Sequence, residues 1–158
     1  MDVAEMEKAL KAKKNPIVLY PNDMLTQVAE EYTEDETDDA TKTAILMSKV
    51  LEGRGIGLAA PQIGVSKRLI IGKTKHWRFC IVNPEIAKQS RGTCKMEEAC
   101  LSVPNMKLIV SRPKQIVVRG FDLMWRPVKI KARGLLAACL QHETDHLNGI
   151  TLANQPER

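Results

Sequence analysis

The segment Leu135-Leu-Ala-Ala-Cys-Leu-Gln-His-Glu-Thr-Asp-His-Leu-Asn148 constrains this chain more than any other stretch. Leu135, Leu136, Cys139 and Leu140 recur at helical spacing, and the same stripe runs on through His142, Glu143, His146 and Leu147. The period predicts an amphipathic helix over 135–148, closed by Gly149. Two imidazoles and a carboxylate then lie on the buried face. Burying a polar group without a partner costs roughly 2–7 kcal/mol, and a charge costs more. A metal ion is the simplest partner for all three. His142 and His146 are four residues apart, so both rings leave one helix face within reach of one ion. Glu143 is rotated from that line and can reach a water beside the ion without ligating it.

A catalytic ion typically takes three protein ligands and keeps one position open. Downstream options fail: the tenth position after His142 is Leu152, and Glu157 stands in the terminal tail. Upstream, His76 in the turn-like Lys73-Thr-Lys-His-Trp77 and one of the cysteines (Cys80, Cys94, Cys100, Cys139) stay open. No two cysteines form a CxxC pair. The opening MDVAEMEKALKAKKNP lacks the apolar region of a signal peptide, so a cytoplasmic location is expected and a disulfide framework is not.

The 158 residues are expected to form a single catalytic domain: an arm over 1–15, a core over 16–152 and a short tail over 153–158. Hydrophobic residues at 44% and charged residues at 27% exclude disorder across the chain. No apolar run approaches the ~18 residues of a membrane helix. A short strand is read between Pro16 and Pro21, and a helix over 39–52 capped by Asp38 or Asp39. Strands are read at 67–71, 79–83, 107–111, 115–121 and 126–132. The order is helix, several strands, helix, so the class is α+β. Net charge is +5, and residues 107–133 carry eight bases against Asp122 alone. Such alternation reads first as a solvated sheet face and second as steering toward an anion such as RNA. With two Phe, two Tyr and two Trp, no platform for stacking bases is expected.

Three segments resemble one family. Gly55-Ile-Gly-Leu-Ala-Ala-Pro-Gln62 is similar to the GxGLAAxQ motif of peptide deformylases, Glu98-Ala-Cys-Leu-Ser102 to their EGCLS motif, and Gln141-His-Glu-Thr-Asp-His146 to their QHExDH motif. The resemblance implies antiparallel or mixed sheets around a central C-terminal helix that carries HExxH. It implies removal of the formyl group from N-formylmethionyl peptides, with formate released and Glu143 as general acid/base on a water at the metal. Carried over, Cys100, His142 and His146 are the metal ligands. Gln62 and the Leu101 backbone N–H stabilise the oxyanion. Ile56 and Gly57 offer backbone edges to the peptide. Leu135, Ala138 and Cys139 line the methionine pocket, and Lys107 stands where many members carry an Arg near the substrate. The ligand set suits Zn²⁺, Fe²⁺, Co²⁺ or Ni²⁺, and the resemblance favours Fe²⁺.

Ala99 replaces the family's Gly between Glu98 and Cys100, which matters only if that backbone needs a positive φ. Many members continue into a long helix that contacts the ribosome. This chain has only Ile150 to Arg158 there, like short phage-encoded forms. The expected setting is bacterial cytosol or a phage-infected host. Expected partners are nascent formylmethionyl chains and, weakly through the basic face, the ribosome. No DNA or membrane partner is expected, and the protein is read as a monomer. Two other readings stay open: another small HExxH metallohydrolase, and a catalytically weakened deformylase-like binding protein. Glu143 argues against the last, because a structural site needs no base beside its ligands.

Overall fold

The computed structural model describes residues 3–155. Helices α1 (Val3–Lys11) and α2 (Thr37–Leu51) precede the strands. These are β1 (Gly57–Ala59), β2 (Leu69–Lys73), β3 (Arg78–Gln89), β4 (Thr93–Cys100), β5 (Val103–Pro113), β6 (Gln115–Phe121) and β7 (Pro127–Arg133). Helix α3 (Gly134–Leu147) follows. The strands form a five-stranded antiparallel sheet in the order β1-β2-β3-β6-β7 and a separate two-stranded ribbon, β4-β5. No described helix is long and apolar enough to cross a membrane.

Strand alternation divides the core. Leu58, Leu69, Ile71 and Val82 pack with Ala44, Met47, Val50 and Leu51 of α2. Ala59, Ile70, Ile81, Ile116 and Val118 pack with Ala137, Cys139, Leu140 and Leu147 of α3. The large sheet therefore lies between α2 and α3. Val3, Met6 and Leu10 of α1 rest against the first cluster, and Glu7 binds Lys11 at 2.9 Å and Lys49 of α2 at 2.6 Å. Residues 3–11 of the arm thus form a docked helix.

Several readings need correction. Pro16–Pro21 is not a strand: Val18 N–H donates to Gln62 O and Tyr20 N–H to Ser102 O, two isolated bonds to different segments with no ladder. Neither Asp38 nor Asp39 caps α2: its first residue follows Glu36, which makes no side-chain cap bond, and the capping bonds lie in the short 3-10 turn Glu34–Glu36 before it. Thr33 N–H and its hydroxyl both bond the Glu36 carboxylate, at 2.9 and 3.0 Å. Asp38 and Asp39 instead sit in the first turn, where the helix dipole favours acids. Strand β3 does not stop before Pro84. The ladder shifts register between Val82 and Glu85, and this bulge accommodates a residue without an N–H. β4 was not anticipated at all. The expectations for Met1, Asp2 and the end of the tail, Glu157 included, lie outside the described residues.

Gly149 ends α3 with φ +76, and its N–H donates to His146 O at 3.2 Å. A Cβ there would lie 2.6 Å from Thr26 O. Left-handed backbone costs a side-chain-bearing residue about 1–2 kcal/mol before any clash. Gly149→Ala is expected to lower unfolding free energy by at least about 2 kcal/mol, read as a drop in urea midpoint at unchanged m-value.

Candidate active site

Helix α3 begins straight from β7 at Gly134, whose φ is +64, and runs beneath β1. Glu143 and His146 are buried and His142 is half-buried. The ribbon reaches the same place from the other side. Glu98 and Cys100 stand two apart on β4 and point to one face, and the tight turn Leu101-Ser102 returns the chain as β5. Ala99 points the other way, opposite Lys107. Its φ is not positive, so its Cβ meets no penalty there.

One ligand atom each from Cys100, His142 and His146 lies within 4.8 Å of the other two. Cys100 Sγ is 3.3 Å from His146 Nε2. His142 holds Glu98 Oε1 through Nδ1 at 2.9 Å, which turns its Nε2 to the shared space. His76 lies on the exposed β2–β3 turn, where its N–H bonds Thr74 Oγ1, and takes no part. A thiol sulfur and two imidazoles suit a borderline-soft divalent ion. Glu143 Oε1 and His146 Nδ1 are buried with no partner among the described residues, so the site has polar capacity to spare.

The electrostatics favour a cation here. Burial opposes a charge on His142, but the carboxylates of Glu143 and Glu98 and the Cys100 sulfur outweigh it and raise its pKa to about 10. Burial and the neighbouring His142 charge push His146 well below its ordinary value. The donor set thus attracts one positive charge, as a proton or as a metal ion. Burial raises Glu143 to about 7, into the range of a base that works near neutrality. Burial would also raise Glu98, but the Arg112 fork and His142 bring it down to about 2.

A cavity of about 810 Å³ opens over these groups. Gln62, Leu101, Ile56 and Gly57 line one part of it, and Leu135, Ala138, Cys139 and Lys107 another. Gln62 is held on a short turn: its Oε1 accepts from Ala59 N–H at 2.9 Å, and its Nε2 donates to Ser102 Oγ at 3.1 Å and lies 3.7 Å from Cys100 Sγ. Gly57 must lack a side chain, because a Cβ would stand 2.4 Å from Glu143 Oε2 and 2.7 Å from Cys139 Sγ. Burial beside the Glu143 charge raises the Cys139 thiol, so it packs as an inert wall.

Sequence reasoning missed Arg112. It is buried, donates through Nε and Nη2 to both Glu98 oxygens at 2.6 and 2.8 Å, and through Nη1 to Asp145 Oδ2 at 2.8 Å. Asp145, between the two histidines on α3, is thus held by Arg112. The usable signal was spacing: Arg112 is two residues from Val110 and shares its buried face. Ser102, which fixes Gln62, was also missed.

A helix presenting His, Glu and His to a cysteine from a facing hairpin, under a peptide-sized cleft, is the architecture of a metallohydrolase. The sequence model of the polypeptide deformylase family matches residues 14–158. A peptide deformylase of Hydrogenovibrio crunogenus is 44% identical over 140 residues, 86% of this chain and 82% of the relative. A Met-Ala-Ser-bound class I type b peptide deformylase from Acinetobacter baumannii superposes with a TM-score of 0.84 at 32% identity, covering 89% of this chain and 97% of the other. The deformylase of the Vibrio parahaemolyticus bacteriophage VP16T, solved with actinonin, gives 0.76 at 37% identity, covering 86% and 98%. This chain belongs to the peptide deformylase family, hydrolases that remove the formyl group from N-formylmethionyl peptides.

Removing one partner of a buried ion network typically costs about 3–5 kcal/mol, because charges are left unpaired. Arg112→Met takes the guanidinium away from Glu98 and Asp145. It is expected to destabilise the protein by about that amount in urea titration. Unchanged stability would show that the network contributes nothing.

Proposed function

We propose that this chain deformylates N-formylmethionyl peptides with Cys100 Sγ and the Nε2 atoms of His142 and His146 holding one divalent ion. The observation that carries this reading is the convergence of those three donors beside Glu143, whose buried Oε1 has no partner. Such an ion polarises a carbonyl oxygen and makes water acidic near neutral pH. Fe²⁺ is the proposed physiological ion, with Zn²⁺, Ni²⁺ and Co²⁺ as substitutes that the same donors accept.

The protein's own groups do the rest. Glu143 takes a proton from the attacking water and passes it to the departing amine nitrogen. Gln62 Nε2 and the Leu101 N–H donate to the formyl oxygen as it gains charge. One such donor is typically worth about 10²–10³ in rate. The free edge of β1 at Ile56 and Gly57 aligns the peptide backbone by strand addition. Leu135, Ala138 and Cys139 receive the methionine side chain, and Lys107 acts on residues that follow it. Glu98 orients His142 and is itself fixed by Arg112. The Met-Ala-Ser bound to the Acinetobacter relative supports a substrate of this size.

Residues 16–152 are proposed as the catalytic core, with 1–15 as an accessory arm and 153–158 as a tail. The proposed setting is the cytosol, with a monomer that meets nascent chains at the ribosome through weak contacts of its basic face.

The test is formate release from formyl-Met-Ala-Ser by anaerobically purified protein reconstituted with Fe²⁺ or Ni²⁺. Stripping the metal with a chelator should abolish release, and metal return should restore it. Glu143→Gln should bind metal at unchanged stoichiometry while losing about 10²–10⁴ in kcat. Turnover that survives this substitution would remove Glu143 from the mechanism. Metal bound with no release from the wild type would favour a binding protein. Cleavage of unformylated Met-Ala-Ser would favour another hydrolase.

A further inference from the structure

The face of β3, β6 and β7 turned away from α3 is cationic, and its bases have no ion-pair partner among the described residues. Lys129, Lys131 and Arg133 alternate along β7, so all three point to one side. Their cross-strand partners on β6 are Arg119, Val117 and Gln115. Lys88 of β3 stands opposite Val117 on the same face. The opposite face carries Ile116, Val118 and Ala132, buried in the core with α3. A groove of about 680 Å³ runs over this outer surface, and its lining contains Lys88, Lys129, Lys131 and Arg133 and no acid.

Arg119 sits directly across from Lys129, an arrangement of like charges that weakens a sheet. Glu85 lies on the other side of Arg119 and is the acid of this face. None of the five bases makes an ion pair with a described residue. Among the described residues this concentrated positive charge has no ion-pair partner. Alternate residues on a strand are about 6.6–6.8 Å apart. Such a row of cations can follow a line of phosphates along one strand. No aromatic residue lines the groove, so bases have nothing to stack on. Gln115, which shares the outer face with Arg133, lines the groove, and its amide offers both a donor and an acceptor to a ribose 2′-hydroxyl, which DNA lacks.

We propose that the outer face of β3-β6-β7 is a sequence-independent docking surface for the sugar–phosphate backbone of RNA, centred on Lys129, Lys131 and Arg133. The groove shares no lining residue with the catalytic cavity, so docking leaves the cleft open.

The test is fluorescence anisotropy of a labelled RNA duplex titrated with the full chain. A DNA duplex of the same sequence and polyglutamate serve as comparisons. Binding is expected at about 1–100 μM near physiological salt, and log Kd should rise with log salt at a slope of about 3, one for each β7 cation. Lys129→Glu with Lys131→Glu should weaken binding at least about tenfold and reduce the slope by about two. The milder Lys131→Gln should reduce the slope by about one. Lys8→Glu with Lys13→Glu makes the same change in net charge in the N-terminal arm and should leave Kd within about twofold, since the non-specific term follows contacted phosphates. Equal weakening by the two double variants would reduce the effect to net charge and overturn the proposal. So would DNA binding as tight as RNA, or displacement of RNA by polyglutamate at equal charge. Formate release by the Lys129/Lys131 variants should match the wild type, which certifies their fold. Absence of release from every form would strike the deformylase reading while the RNA measurement stood.

Discussion

Arg112 joins three elements through one guanidinium: to Glu98 on β4, to Asp145 on α3, and through its own backbone to β5. The small ribbon shares no ladder with the large sheet, so its placement depends on such side-chain links. Replacing the network with apolar groups of similar volume would often be neutral for stability. What the ions add is position. Glu98 is held on both oxygens by Arg112, and one of those oxygens also receives His142 Nδ1. A displacement of the ribbon would therefore turn the His142 ring and shift Cys100 together, because Glu98 and Cys100 are two residues apart on one strand.

A second constraint acts from the other side. β1 passes so close to α3 that Gly57 has no room for a methyl group against Glu143 and Cys139. The close approach buries Glu143, and burial raises its pKa. The same packing keeps Cys139 a neutral thiol. Glycine at 57, a raised carboxyl at 143 and an inert sulfur at 139 are one packing arrangement seen at three residues.

Much of this was legible in the sequence. The α3 stripe, its glycine stop and the His-Glu-His spacing are local properties of one helix. Cys100 was not legible from spacing alone, since His76 and three other cysteines competed. It entered through the likeness of a motif, and the hairpin that brings it to α3 spans a distance that periodicity does not encode. Arg112 was hidden for a related reason. In a run of eight bases, an alternating Arg looks solvated, and only the tertiary partners Glu98 and Asp145 make it a core residue. Pro16–Pro21 misled in the opposite sense: its apolar run between prolines has strand composition, yet its N–H groups go to Gln62 and Ser102 singly. β4 was missed because Thr93-Cys-Lys-Met-Glu-Glu-Ala-Cys100 is too polar to read as a strand. Both its faces stay largely wet except at Glu98 and Cys100.

The basic run over 107–133 serves three environments through strand parity. Arg112 faces inward and is neutralised by two carboxylates. Lys107 stands at the lip of the catalytic cavity. Lys129, Lys131 and Arg133 face outward from β7 with no counter-charge among the described residues. The charge balance of each follows from what it faces: a base with a buried partner is structural, and bases left unpaired in a row keep their long-range field. Screening confines that field to about 8–10 Å at physiological salt. The outer face therefore acts on a partner that comes into contact with it, whereas the chemistry at α3 is set by the acids and donors buried on the other side of the same sheet.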